Sequence, residues 1–161
     1  MIIDTSAVIA ILRDEPEAPS FARTIGMAGK ALMSAANFLE AAVVIDGSRD
    51  PVASRRLDDL LREGRIGIEP VTEAQARIAR EAYRDFGRGS GHAAKLNFGD
   101  CFAYALAKDK HLPLLFKGDD FGHTDIERAP EVQLKPGFLH GSVFHTGPDA
   151  VAAGPFEVQV A

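Results

Sequence analysis

The sequence is poor in several things that would each have pointed to a different kind of protein. It has one cysteine, Cys101, among 161 residues, so no intramolecular disulfide can staple the chain and a reducing cytoplasm is its natural setting. No apolar run approaches the roughly 18 residues of a membrane span. The start, MIIDTSAVIAIL, places Asp4 ahead of any Lys or Arg, unlike a secretory leader. Positive charge is not in excess: 18 Lys and Arg against 23 Asp and Glu leave −5, which excludes a protein that coats nucleic acid by bulk attraction. The five histidines are scattered, without metal-ligand spacing. GRGSG at 87–91 has neither a following Gly-Lys-Ser/Thr nor the GxGxxG order, so it is no P-loop. What remains is 46% hydrophobic and 25% charged, an ordinary globular composition long enough for one domain with its own core.

Short apolar runs alternate with longer amphipathic ones, the pattern of a parallel sheet covered by helices. Strands are expected at Met1–Ile3, Ala31–Met33, Ile66–Ile68 and Pro113–Phe116. Helices are expected over Ala7–Leu12 with Ser6 as N-cap, from Pro16 to about Ala28, over Ala35–Ile45 capped by Ser34, and from Asp50-Pro51 to Arg62 before Gly64. Thr72 and Gln75 have capping-box spacing, followed by Ala76, Ala79, Tyr83 and Phe86 at helical intervals. Phe98, Cys101, Phe102, Ala105 and Leu106 mark one face of a sixth helix, and Cys101 reads as a small core residue. The expected architecture is a three-layer α/β/α domain over residues 1–130, with a central parallel sheet of four to five strands. Residues 131–161 carry only Glu131, Lys135, Asp149 and Glu157 as charged side chains. They read as an atypical loop-like or disordered tail, with an edge strand indicated by the alternation of Phe156, Val158 and Val160.

Four carboxylates fall where strand ends or helices turn side chains toward one rim of such a sheet. Asp4 follows the first strand and Asp119 follows LLFKG. Glu40 lies in ANFLEAAVV, a helix otherwise free of charge, and Asp100 begins FGDCFAYALAK. Ligand sites of open parallel sheets form outside the carboxyl ends of the strands. Convergent carboxylates suit hard cations such as Mg²⁺ and Mn²⁺, which orient water and neutralise charge on a phosphodiester. Each acid also has a plain structural reading: a turn residue at Asp4 and Asp119, a dipole partner at Asp100, a solvent-facing position at Glu40.

The phrases IIDTSAVIAIL, SAANFLEAA, LNFGDCFAYALAK and LPLLFKGDDFGHTDI together resemble the VapC toxins of type II toxin–antitoxin systems, which are PIN-domain ribonucleases. The resemblance runs from Met1 to about Pro130, and the tail has no counterpart in it. It implies a PIN-like fold and a Mg²⁺- or Mn²⁺-dependent endoribonuclease that cuts structured RNA, tRNA or rRNA, in the cytoplasm and so stops translation. Asp4, Glu40, Asp100 and Asp119 match the four acidic positions as catalytic and metal-binding residues. Ser6 matches a small hydroxyl residue that bonds a carboxylate or a bound water from outside the ligand set. In-line attack by water would leave a 5′-phosphate and a 3′-hydroxyl. The implied partners are a VapB-type antitoxin, whose Arg or Lys approaches the acids, and a second copy of the chain in a homodimer. Apolar surface for such contacts would come from Val8, Ile11, Leu12, Phe21 and Ile25. Arg13, Arg88, Lys95 and Lys117, with Arg49 and Arg84, are candidates for gripping RNA phosphates.

Two other readings compete. A receiver-like signalling domain shares the β/α alternation and a Lys after a late strand, but IGIEPV offers only Glu69 where a phosphate-accepting Asp is needed. A catalytically silent PIN-like binding module need not keep all four acids.

Overall fold

The computed structural model describes residues 1–132. Four short parallel strands form the sheet: β1 (Ile2–Ile3), β2 (Ala31–Ser34), β3 (Ile66–Glu69) and β4 (Leu114–Leu115), in the order β3-β2-β1-β4. The flavodoxin-like order 2-1-3-4-5 that receiver domains share is different. Six helices cover it: α1 (Thr5–Leu12), α2 (Ala18–Met27), α3 (Ala35–Asp46), α4 (Pro51–Glu63), α5 (Glu73–Phe86) and α6 (Phe98–Lys110).

Successive strand residues point to opposite faces, and the two cores follow that alternation. Ile3, Met33 and Leu115 pack with the residues of α1 to α4. Ile2, Leu32 and Leu114 pack with residues of α5 and α6, including Leu106, and with Phe121 from the turn after β4. The result is the expected α/β/α sandwich. All strands run the same way, so Asp4, Ser34 and the Phe116–Asp119 loop emerge at one edge.

The helix starts are set by polar caps, which satisfy backbone N–H groups that have no intrahelical partner. Ser34 caps α3 and Asp50 caps α4. Thr72 with Gln75, and Asn97 with Asp100, form capping boxes on α5 and α6. Two expected starts shift. Asp4, not Ser6, caps α1: its extended backbone (φ −83°, ψ 156°) lets its carboxylate accept the Ser6 N–H. The second helix begins at Ala18 with Pro19 in its first turn, Pro16 lying in the preceding turn.

Val8, Ile11, Leu12, Phe21 and Ile25 are all buried in the core, so these residues do not supply the apolar surface expected of them. Exposed apolar side chains occur instead at Met27 at the end of α2, Leu39 and Val43 on α3, and Phe98, 77% exposed, on α6. Glu131 and Val132 bond to Ser20 and Thr24 of α2. The edge strand expected around Phe156–Val160 lies outside the described residues.

Candidate active site

Asp4 stands where β1 gives way to α1 and is 2% exposed. Its two oxygens are treated unequally. Oδ2 accepts the Ser6 hydroxyl at 2.5 Å and the Ser6 N–H at 2.9 Å. Oδ1 is buried with no hydrogen-bond partner among the described residues. Burial pushes the Asp4 carboxyl up to about 6, the Ser6 bonds hold it down in part, and the charges of Asp100 and Glu40 push it further up. The Ser6 hydroxyl in turn accepts the Lys117 N–H at 3.0 Å. Ser6 therefore fastens Asp4 to the chain leaving β4.

Glu40, on α3, rests in a cradle made by three elements. Its Oε2 accepts the Thr5 hydroxyl of α1 at 2.6 Å and lies 3.5 Å from the Asn37 amide one turn earlier. Asn37 is fully buried. It also donates to Thr5 Oγ1 at 3.2 Å and to the Gly99 carbonyl of α6 at 3.0 Å. The Glu40 carboxylate lies directly over Gly99, where a side-chain Cβ would overlap it. Glu40 is thus half-buried in this cradle rather than on the solvent face, and has no cation partner among the described residues.

Asp100 accepts the Asn97 N–H at 2.6 Å in the capping box of α6. Burial raises its carboxyl, the Asn97 bond opposes this, and Asp120 and Glu40 add to the rise while Arg88 counters it. The helix-start role read from the sequence is therefore real and coexists with membership of the acid group. Asp119 begins a short 3-10 turn, Asp120–His123, with its side chain exposed. It is the neighbouring Asp120 whose charge reaches Asp100. Arg128 steadies this loop by donating to the Phe116 and Gly118 carbonyls at 3.2 and 2.8 Å and stacking 3.8 Å above the Phe116 ring.

Asp4, Glu40 and Asp100 thus form one mutually repelling group. Among the described residues no three such side chains converge on a single point. The donor set nonetheless fits a hard divalent cation: every donor is a carboxylate oxygen, and the buried Oδ1 of Asp4 lacks any partner of its own. Cys101 offers no competing chemistry, because burial pushes its thiol up to about 11.

Residues 1–127 match the PIN domain family. The chain is 60% identical over 129 residues to the VapC ribonuclease Mb0625 of Mycobacterium bovis and to ribonuclease VapC28 of Mycobacterium tuberculosis, spanning 80% of this chain and 97% of each relative. The chain belongs to the VapC family of PIN-domain ribonucleases. Two solved structures share the fold. The M. tuberculosis toxin VapC20, which cleaves the sarcin-ricin loop, aligns with a TM-score of 0.63 at 14% identity, over 81% of this chain and 98% of that one. A toxin–antitoxin complex from Klebsiella pneumoniae aligns at 0.59 and 17%, over 77% and 92%.

In this VapC-family chain Asp4, Glu40 and Asp100, all expected from the sequence, act on one another through their charges, Ser6 bonds Asp4, and Asp119 is exposed on the loop after β4. The cation candidates divide. Lys117 is partly exposed, but its ammonium is already held by Glu15 at 2.7 Å and Glu17 at 3.0 Å. Arg84 is forked onto Asp85. Arg13, Arg49, Arg88 and Lys95 are exposed with no ion pair among the described residues. The reading missed Thr5, Asn37, Gly99 and Arg128. Asn37 carried a usable signal, a polar side chain one turn before Glu40 on an apolar helix. Gly99 carried none, since its role is the space it leaves.

Proposed function

We propose that this toxin endoribonuclease uses Mg²⁺ or Mn²⁺ held by Asp4, Glu40 and Asp100, with Asp119 completing the set from the loop after β4. The observation that carries the reading is the partnerless, buried Oδ1 of Asp4 beside two further carboxylates. Bound there, the cation would orient water, raise its nucleophilicity and neutralise charge on the phosphodiester. The chain's own residues prepare the place. Ser6 occupies one Asp4 oxygen and leaves the other open, Thr5 and Asn37 fix the Glu40 carboxylate, and Asn97 anchors Asp100.

The substrate is structured RNA, tRNA or rRNA, and the setting is the cytoplasm; among the described residues no helix is long and apolar enough to cross a membrane. The partner is an antitoxin, as the Klebsiella pneumoniae complex and the VapC relatives support, and a cation on it would complement the acidic rim. Two copies pair through the apolar surface that flanks the Glu40–Gly99 contact, Leu39, Val43 and Phe98.

The test is cleavage of a tRNA and rRNA pool by the purified chain. Activity should vanish in EDTA and return with Mg²⁺ or Mn²⁺. Cleavage that survives exhaustive chelation overturns the cation's role.

A further inference from the structure

The chain carries a net charge of −5, yet its cations are not evenly spread. Residues 73–97 hold Arg77, Arg80, Arg84, Arg88 and Lys95 against Glu73, Glu81 and Asp85. This segment is +2, so the rest of the chain is −7. On α5 the spacing 77, 80, 84 turns through 300° and 700° at about 100° per residue. These three arginines therefore share a stripe about 60° wide, and Arg88 follows just past the helix end, after the extended Gly87. Arg77, Arg80, Glu81 and Arg84 line a cleft of about 210 Å³ on this face.

The stripe has a direction. The Arg88 N–H donates to the Leu96 carbonyl at 3.0 Å and the Leu96 N–H to the Phe86 carbonyl at 2.9 Å. This ties the end of α5 to the residue before Asn97, whose cap is closed by Asp100. The helical part of the row, Arg77 to Arg84, runs about 11 Å at 1.5 Å per residue, and Arg88, whose charge acts on Asp100, carries it to the acidic rim.

Its guanidiniums are available. Arg80 has no hydrogen bond or ion pair among the described residues. Arg88 has only the Lys95 carbonyl, 3.4 Å away. Arg77 and Arg84 hold Glu73 and Asp85 in exposed pairs, which exchange partners at little cost. Glu81 shares the cleft with the arginines, so the row keeps an excess of positive charge without being free of acid. A planar guanidinium row suits a phosphodiester backbone, because each fork can take two oxygens of one phosphate.

We infer that the arginine row Arg77, Arg80, Arg84 and Arg88 is the surface that holds the RNA backbone on its way to the acidic rim. This rests on the ribonuclease reading above and adds where the substrate lies. An acidic segment of the antitoxin is the competing occupant. The RNA is favoured because the row continues into the site at Arg88 rather than ending on an isolated patch.

The test uses the full chain with Asp4→Asn, in EDTA, so that bound RNA survives. A fluorescein-labelled single-stranded oligouridylate is titrated at salt concentrations from about 50 to 200 mM, where phosphate contacts dominate affinity. Arg80→Ala should weaken binding several-fold at the lowest salt. It should also flatten the slope of log affinity against log salt by about 0.7, the share of one single-strand phosphate. Arg80→Lys should recover most of the slope. Arg23→Ala, an exposed cation of α2, should leave both unchanged. Parental affinity and slope in Arg80→Ala overturn the proposal while the ribonuclease reading stands. So does parental RNA binding with loss of the co-expressed antitoxin. Absence of RNA binding by the folded parent would bring down the RNA substrate itself, a result distinct from the other two.

Discussion

Two charged clusters sit at the same edge of the sheet, and they are built on opposite principles. Lys117 lies between Glu15 and Glu17, so that cluster supplies its own cation. Asp4, Glu40 and Asp100 take their hydrogen bonds only from hydroxyl or amide donors among the described residues, Arg88 acting on Asp100 through its charge alone, and each of the two aspartates is raised by burial and by its acidic neighbours. The Lys117 backbone N–H even serves the acidic group through Ser6, while its ammonium is taken up by Glu15 and Glu17. A fold that can place a lysine on two carboxylates within a residue or two of the rim has left three others without one. The difference marks the first cluster as structural and the second as a place kept for a charge from outside, since buried acids are otherwise paired or neutralised.

The largest break in that comparison is Asp4→Asn. It removes the open oxygen while Asn keeps the helix cap. Cleavage should fall by more than about a hundredfold, beyond the loss usual for groups that only support a ligand. The cation-free protein should nevertheless become more stable at pH 7. The Asp4 carboxyl is raised to about 6 in the fold, against about 3.9 unfolded. Its charged form therefore costs stability above pH 6, up to about 3 kcal/mol, and the cost disappears below about pH 4 where both states are protonated. Thermal melts of parent and variant should differ by several degrees at pH 7, variant higher, and converge toward pH 4. A destabilised variant at neutral pH would mean that Asp4 is satisfied within the fold.

The second test supplies the missing charge. Mn²⁺ should raise the melting temperature of the parent, by the equivalent of about 2.7 kcal/mol when a hundredfold above its dissociation constant, and leave Asp4→Asn unmoved. Because the ligand must be deprotonated, apparent affinity should fall about tenfold per pH unit below 6. Calorimetric titration at pH 5 and 7 checks this, and equal affinity at both would remove Asp4 from the ligand set.

Smaller effects fall on the cradle. Gly99→Ala places a methyl group where the Glu40 carboxylate lies, in a helix that prefers alanine. Glu40 must shift, so kcat should drop about 10- to 100-fold while circular dichroism and KM stay near the parent. Unchanged kcat would show that Glu40's position is immaterial.

How much of this was open to sequence reasoning follows the physics of each feature. Capping residues and strand ends are local, so the pairs Thr72–Gln75 and Asp50-Pro51 foretold their helices, and the strand runs placed Asp4 and the Asp119 loop at one rim. Asp4 itself was legible as a rim acid but not as the cap, because Asp4 and Ser6 are both good capping residues and only the backbone at Asp4 decides between them. Phe98 carries the periodicity of a core residue and is exposed at the first position of α6, with its ring edge-on to Phe102. Gly99 and Arg128 act through space on segments distant in sequence, and no local pattern encodes that.

The smallest effect tests the self-sufficient cluster. Lys117→Gln takes the ammonium from Glu15 and Glu17, both partly open to water, where solvent and salt screen the repulsion that is left. The Ser6 bond uses the Lys117 backbone and survives the substitution. The melting temperature should drop only slightly, and the drop should shrink in high salt. RNA cleavage, with its dependence on Mn²⁺, should stay within about twofold of the parent, since an exposed pair contributes little. If activity instead collapsed with Lys117→Gln while Mn²⁺ still raised the melting temperature, the lysine would be reaching the RNA from within its acidic clasp. The two clusters would then be one site, with the internal cation serving the substrate and the external one serving the acids.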